Sequence, residues 1–99
     1  MRVSYSPRAV SEINEAFDYI AADNPAALSR LMLRIESIAA LLSERPGIGR
    51  RTSKAGVQVI GLLPYRYLLF YKVLPNRDEI RIMRLRHMSR RDALDVRSL

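Results

Sequence analysis

The chain contains no cysteine and a single histidine among its 99 residues. Without thiols there is neither a disulfide framework nor a thiolate metal site, and one imidazole is too few for the usual zinc ligand sets. The sequence therefore predicts no metal and no other cofactor. No apolar run reaches the roughly 20 residues that a bilayer span requires, and the opening MRVSYSPRAV lacks the apolar stretch of a secretory signal. No membrane partner is expected, and the cytoplasm is the expected location. A phosphate cradle of the form GxxxxGK[ST] is missing, as are internal repeats and low-complexity tracts. The length suits one domain, residues 1–99, able to bury roughly 60 to 65% of its unfolded surface around a single core.

Acidic residues are scarce where basic ones are dense. Residues 1–44 hold four basic and six acidic side chains, and residues 45–99 hold thirteen basic and four acidic, so the formal charge of +7 belongs to the C-terminal half. Such a field steers an anionic partner, nucleic acid or an acidic protein segment, toward that half. The simpler alternative is a well-solvated surface.

Residues 57–87 carry the densest pattern. Residues 65–74 (YRYLLFYKVL) are apolar on both faces of a pleat, which suits a central strand with neighbours on each side. Residues 79–87 (EIRIMRLRH) follow a Pro-Asn-Arg-Asp group that favours reversal, so the two runs predict an antiparallel hairpin. Residues 57–62 (VQVIGL) add a strand before Pro64, and residues 2–5 (RVSY) add a short N-terminal one. Ser6-Pro7 and Asn24-Pro25 each place an N-cap residue before a proline at the first helical position. Val10, Ile13, Phe17 and Ile20 form the predicted apolar stripe of the first helix. The second carries Leu28, Leu31, Met32, Ile35, Ile38, Ala39 and Leu42, with Leu33 and Leu41 outside its stripe. Two capped helices almost without a connection make an αα-hairpin. Its surplus leucines fit either the helix-helix seam or a docking groove for another chain. Residues 43–56 (SERPGIGRRTSKAG) read as a long basic loop, and residues 92–99 as one frayed helical turn. The fold class is α+β: an N-terminal strand and an αα-hairpin packed on an antiparallel sheet of three to four strands.

Strict alternation along the last strand puts Arg84 and Arg86 on one face and Arg81, Met83, Leu85 and His87 on the other. Hairpin pairing brings Arg66 close to Arg84, Arg86 or His87, and the basic loop with Lys54 is placed over the same end. Arginines around an imidazole suit phosphate, since the forks grip the anion and the ring moves a proton. His87 equally fits a strand-end residue bonded to backbone. Ser53 and Ser89 show no base-and-orienter arrangement, and the carboxylates lie mostly on the helices.

With the segments PYRYLLFYKV (64–73) and IRIMRLRHMSRRD (80–92), this order of elements closely resembles the ParE/RelE superfamily of type II toxin-antitoxin toxins over nearly the whole chain. The resemblance implies a cognate antitoxin, ParD-like or RelB-like, that wraps the toxin in a hetero-oligomer, and growth arrest when that antitoxin is lost. The leucine surface of the second helix, Leu28, Leu31, Met32 and Ile35, is the expected antitoxin seat. RelE-like members look like ribosome-dependent messenger RNA endonucleases. In that reading Lys54, Arg66, Arg84 and Arg86 hold phosphate, His87 transfers the proton, and the ribosome and messenger RNA are the partners. No tyrosine follows Tyr71, however, where that branch often has one. The ending from Arg86 to Asp92 looks more like the ParE branch, whose members resemble poisons of DNA gyrase rather than enzymes. The expectation is a ParE-like, gyrase-binding toxin with target contacts at His87, Arg86, Arg90 and Arg91. The alternative is the metal-free endoribonuclease, and a weaker third reading is a plain nucleic-acid-binding module.

Overall fold

The computed structural model describes all 99 residues. The chain runs β1 (Arg2–Tyr5), α1 (Pro7–Asp23), α2 (Pro25–Glu44), β2 (Arg50–Arg51), β3 (Val57–Gly61), β4 (Tyr67–Leu74), a 3-10 turn at Pro75–Arg77 and β5 (Glu79–His87). Both expected caps form. The Ser6 hydroxyl accepts the Ala9 N–H at 3.0 Å and donates to the Met83 carbonyl at 2.8 Å, so the start of α1 is tied to β5 as well as capped. The Asn24 side chain accepts the N–H groups of Ala26 and Ala27. No helix is long and apolar enough to cross a membrane.

The sheet has five strands in the order β1-β5-β4-β3-β2, with β4 near its middle. Two features depart from expectation. The basic loop contributes β2, whose Arg50 and Arg51 pair antiparallel with Val59 and Gln58. Two charged residues carry no hydrophobic alternation, so nothing in their pattern marks a strand. The N-terminal strand runs parallel to β5, which makes the sheet mixed rather than antiparallel. Glu79, buried at the start of β5, holds β1 in place by accepting from the Ser4 hydroxyl and from Arg2 at 3.3 Å.

The helical hairpin covers one face. Its contact residues are Ala9, Ile13 and Ala16 from α1 and Leu31, Ile35, Ile38 and Leu42 from α2, packed on Leu62, Leu69, Tyr71, Ile80, Ile82 and Leu85. The stripe of α1 is therefore turned from the expected one: Val10 is 45% exposed, while Phe17 and Ile20 are half-buried. Small alanines at 9 and 16 let the backbone approach closely, a choice that a pattern built on large residues overlooks. The opposite face is covered by the C-terminal tail, not by a frayed turn. Ala93, Val96 and Leu99 pack on Val57, Val59, Leu68 and Phe70.

A β-bulge sets the phase of β5. Phe70 pairs with Arg84 and Tyr71 with Ile82, leaving Met83 as the extra residue. Ile80 and Ile82 face the helices before it and Leu85 does so after it, while Met83 packs toward the tail. Arg84 and Arg86 keep a common phase, but the expected common face of Met83 and Leu85 is broken. Arg86 stacks over the Phe70 ring at 5.1 Å and donates to the carbonyls of Asp92, Ala93 and Asp95. Replacing it strands those carbonyls beneath the tail. Arg86→Ala is expected to lower the unfolding free energy by about 3 kcal/mol, read by urea denaturation, with Arg91→Ala within about 0.5 kcal/mol of the parent.

Candidate functional site

Of the arginines expected to gather round the imidazole, two are committed to the fold. Beyond Ile82, β5 has no strand on its outer side, and Glu12 of α1 fills the gap. One Glu12 oxygen accepts Arg84 Nε at 2.8 Å and the Leu85 N–H at 3.1 Å, and the other accepts an Arg84 terminal nitrogen at 2.7 Å. The Arg84 side chain is 3% exposed and that of Glu12 17%. Burial alone would push the Glu12 carboxyl up, but the hydrogen bonds from Arg84 and Leu85, with the charges of Arg84 and Arg8, hold it below its ordinary value. The same bonds raise Arg84. Arg86 is lowered, first by burial and then by the neighbouring charges of Arg84 and Arg90. The Arg84 fork is taken up by Glu12, whereas Arg86 uses one terminal nitrogen for the tail carbonyls and its buried Nε has no partner.

His87 lines a cleft with Arg86 but not with Arg84. It pairs with Tyr67 across the hairpin, the rings meeting edge-on at 5.1 Å, and it is exposed. Its Nδ1 accepts the Ser89 N–H at 3.1 Å and lies 2.7 Å from the Ser89 hydroxyl, which puts the proton of the neutral ring on Nε2. Arg66 does come to this end: its carbonyl accepts the Met88 N–H at 2.8 Å, and its side chain is exposed. Arg90 pairs with Asp92, and Arg91 is exposed without an ion partner. A cleft of about 350 Å³ beside His87 is lined by Glu12, Glu15, Tyr19, Tyr67, Arg86 and Arg90 among others. It mixes both signs of charge instead of collecting cations. Burial pushes the Tyr67 phenol up, and Tyr19 adds to the shift. Sequence reasoning missed Glu12, Tyr19 and Tyr67. The pairing of positions 67 and 87 follows from the hairpin turn, whereas Glu12 is found only once the α1 stripe is set on its alanines.

Lys54 lies away from His87, in a separate cleft of about 480 Å³ with Arg51, Thr52 and Gln58. That loop is anchored from beneath. The buried Tyr71 hydroxyl donates to the Pro46 carbonyl at 2.8 Å and accepts the Gly49 N–H at 2.9 Å. A Cβ at position 49 would lie 2.6 Å from that hydroxyl oxygen, so the close approach requires glycine. On α2, Leu31 and Ile35 are core residues and Leu28 is half-buried, so of the expected antitoxin seat only Met32 is open to solvent. Met32 and Ile35 both line a groove with Tyr5, Val10 and Phe17. No three His, Asp or Glu side chains converge as metal ligands would.

A family model described as the ParE toxin of the type II toxin-antitoxin system, parDE, matches residues 3–92. Among solved structures, the chain is similar to one from the chromosomal ParDE system of P. aeruginosa, with a TM-score of 0.76 and 18% identity over 90% of this chain and 97% of that one. It is also similar to the isolated E. coli RelE toxin, with a TM-score of 0.63 and 15% identity over 90% of this chain and 85% of that one. The E. coli RelBE toxin-antitoxin complex gives the same score and identity, over 90% of this chain and 98% of that one. No curated protein matches at a significant level.

The Glu12 carboxyl, depressed in the folded chain, stabilises it above the ordinary carboxylate range, and this contribution disappears as pH falls through its folded value. Glu12→Gln, which leaves a buried arginine without its anion, is expected to destabilise by about 3 to 5 kcal/mol at pH 7. Urea titrations of parent and variant should converge as the pH is taken below about 4.

Proposed function

Because the chain belongs to the ParE toxin family of type II toxin-antitoxin systems, we propose that it arrests growth by binding DNA gyrase through the exposed end formed by His87, Arg90 and Arg91, and not by cutting RNA. The observation that carries this reading is the disposition of Arg84 and Arg86. A phosphate-gripping nuclease site needs free guanidinium forks around its proton carrier. Here the Arg84 fork is closed by Glu12, and Arg86 is buried under the tail with one terminal nitrogen on its carbonyls, so neither presents a fork at the surface. Arg86 therefore leaves the set of target contacts and becomes their support, holding the tail beneath Arg90 and Arg91.

An antitoxin completes the proposal. The E. coli relative is known in a RelBE toxin-antitoxin complex, and the P. aeruginosa one belongs to a ParDE system. For this chain the apolar groove of Tyr5, Val10, Phe17 and Met32 supplies a seat for the apolar face of a partner helix. The C-terminal half supplies the charge that attracts an acidic segment.

Inducing the chain in cells separates the two target classes. The expected outcome is accumulation of DNA breaks covalently attached to gyrase, relieved by co-expression of the antitoxin from a neighbouring reading frame. His87→Gln keeps a polar side chain but cannot shuttle a proton, so toxicity should persist within a few-fold. A fall of about 100-fold or more, the cost of losing a general acid or base, together with messages cut at the ribosome, would select the nuclease instead.

A further inference from the structure

Four of the cations that form no ion pair line adjoining clefts. Arg2, Arg84, Arg90 and Arg97 form ion pairs, whereas Arg50, Arg51, Lys54 and Arg91 form none. A cleft of about 280 Å³ is lined by Arg50, Arg90, Arg91 and Leu94. A second, of about 290 Å³, shares Arg50 and Leu94 with the first and adds Arg51 and Thr52. The cleft that contains Lys54 shares Arg51 and Thr52 with the second. No aspartate or glutamate lines any of the three, in contrast to the cleft beside His87, which holds Glu12 and Glu15. The result is one basic trough running from the C-terminal tail across β2 to the loop. Its middle is firmly mounted, because the Tyr71 hydroxyl holds Pro46 and Gly49 just ahead of the two arginines of β2.

We propose that this trough binds the phosphate backbone of duplex DNA. Guanidinium forks suit phosphate oxygens, and a lining without carboxylates repels no part of a polyanion. No aromatic residue lines the three clefts. The stacking platforms that seat single strands are therefore missing, and a duplex gripped through its backbone fits better. An acidic helix would need an apolar seat, and the exposed large apolar side chains of the trough are Leu94 and Met88 alone. The inference rests on the gyrase reading for its setting: the DNA held by the enzyme is the duplex that the trough engages, beside the contact made by the His87 end.

The test uses the purified chain, a short fluorescent DNA duplex and no gyrase, with anisotropy read across a salt series. Four free cations give a log-log slope of about −3.6, a loss of roughly 150-fold in affinity between about 50 and about 200 mM salt. Arg50, Arg51 and Arg91 are exposed, so the triple variant Arg50→Gln/Arg51→Gln/Arg91→Gln should fold normally, and its slope should fall to about −0.9. Arg30→Gln, on the exposed surface of α2, should leave the slope unchanged. An unaltered slope in the triple variant overturns the proposal. So does tighter binding of polyglutamate, of a single DNA strand or of an RNA duplex than of the DNA duplex. Because gyrase is absent, loss of this binding leaves the cleavage-complex result standing, and the reverse also holds.

Discussion

A guanidinium removed from water must be met by anions or carbonyls, and β5 carries two such groups within three residues. Arg84 and Arg86 are 3% and 4% exposed, and each fastens a different part of the chain. Arg84 draws Glu12, and with it α1, onto the open edge of β5, where the same carboxylate also satisfies the Leu85 N–H. Arg86 gathers three carbonyls of the tail above Phe70. The bulge at Met83 allows both, because it moves the arginine phase off the helical core and returns Leu85 to it.

This division of the basic residues organises the surface. The side chains that look most like a phosphate site in sequence are those the fold encloses. A group of cations without ion partners lies elsewhere, on β2, on its loop and just past the end of β5. His87 keeps one ring nitrogen free and has Tyr67, Glu15 and Arg90 as neighbours in its cleft. Its surroundings suit protein contact, while the neighbouring trough suits a polyanion. A toxin that binds an enzyme engaged with DNA would use both.

Much of the architecture was legible from residue patterns. The two Ser/Asn-Pro caps fix where the helices begin, the doubly apolar run at 65–74 identifies the central strand, and the turn at 75–78 fixes the hairpin. What escaped has specific physical reasons. β2 is too short and too charged to alternate, and the α1 contact face rests on alanines whose small size, not hydrophobicity, brings the helix close. The tail looked weak because Ala93, Val96 and Leu99 bury a surface without forming a regular element. The bulge did leave a trace, in the slip of apolar residues from 80 and 82 to 85. Its effect on Arg84 and Arg86 appears only when the strand is paired. Charge counting located the basic half correctly, but counting cannot separate buried arginines from free ones.

The ion pair that joins α1 to β5 decides which arginines are free, and a double-mutant cycle measures it most directly. Glu12→Gln, Arg84→Met and their combination would be compared with the parent by urea denaturation at pH 7. A coupling energy of about 2 to 3 kcal/mol, with the double variant more stable than the sum of the singles predicts, is the expected result. Additivity within about 0.5 kcal/mol would mean that the two side chains act independently. Arg84 would then be free to serve a ligand, and would not be a fastener of α1.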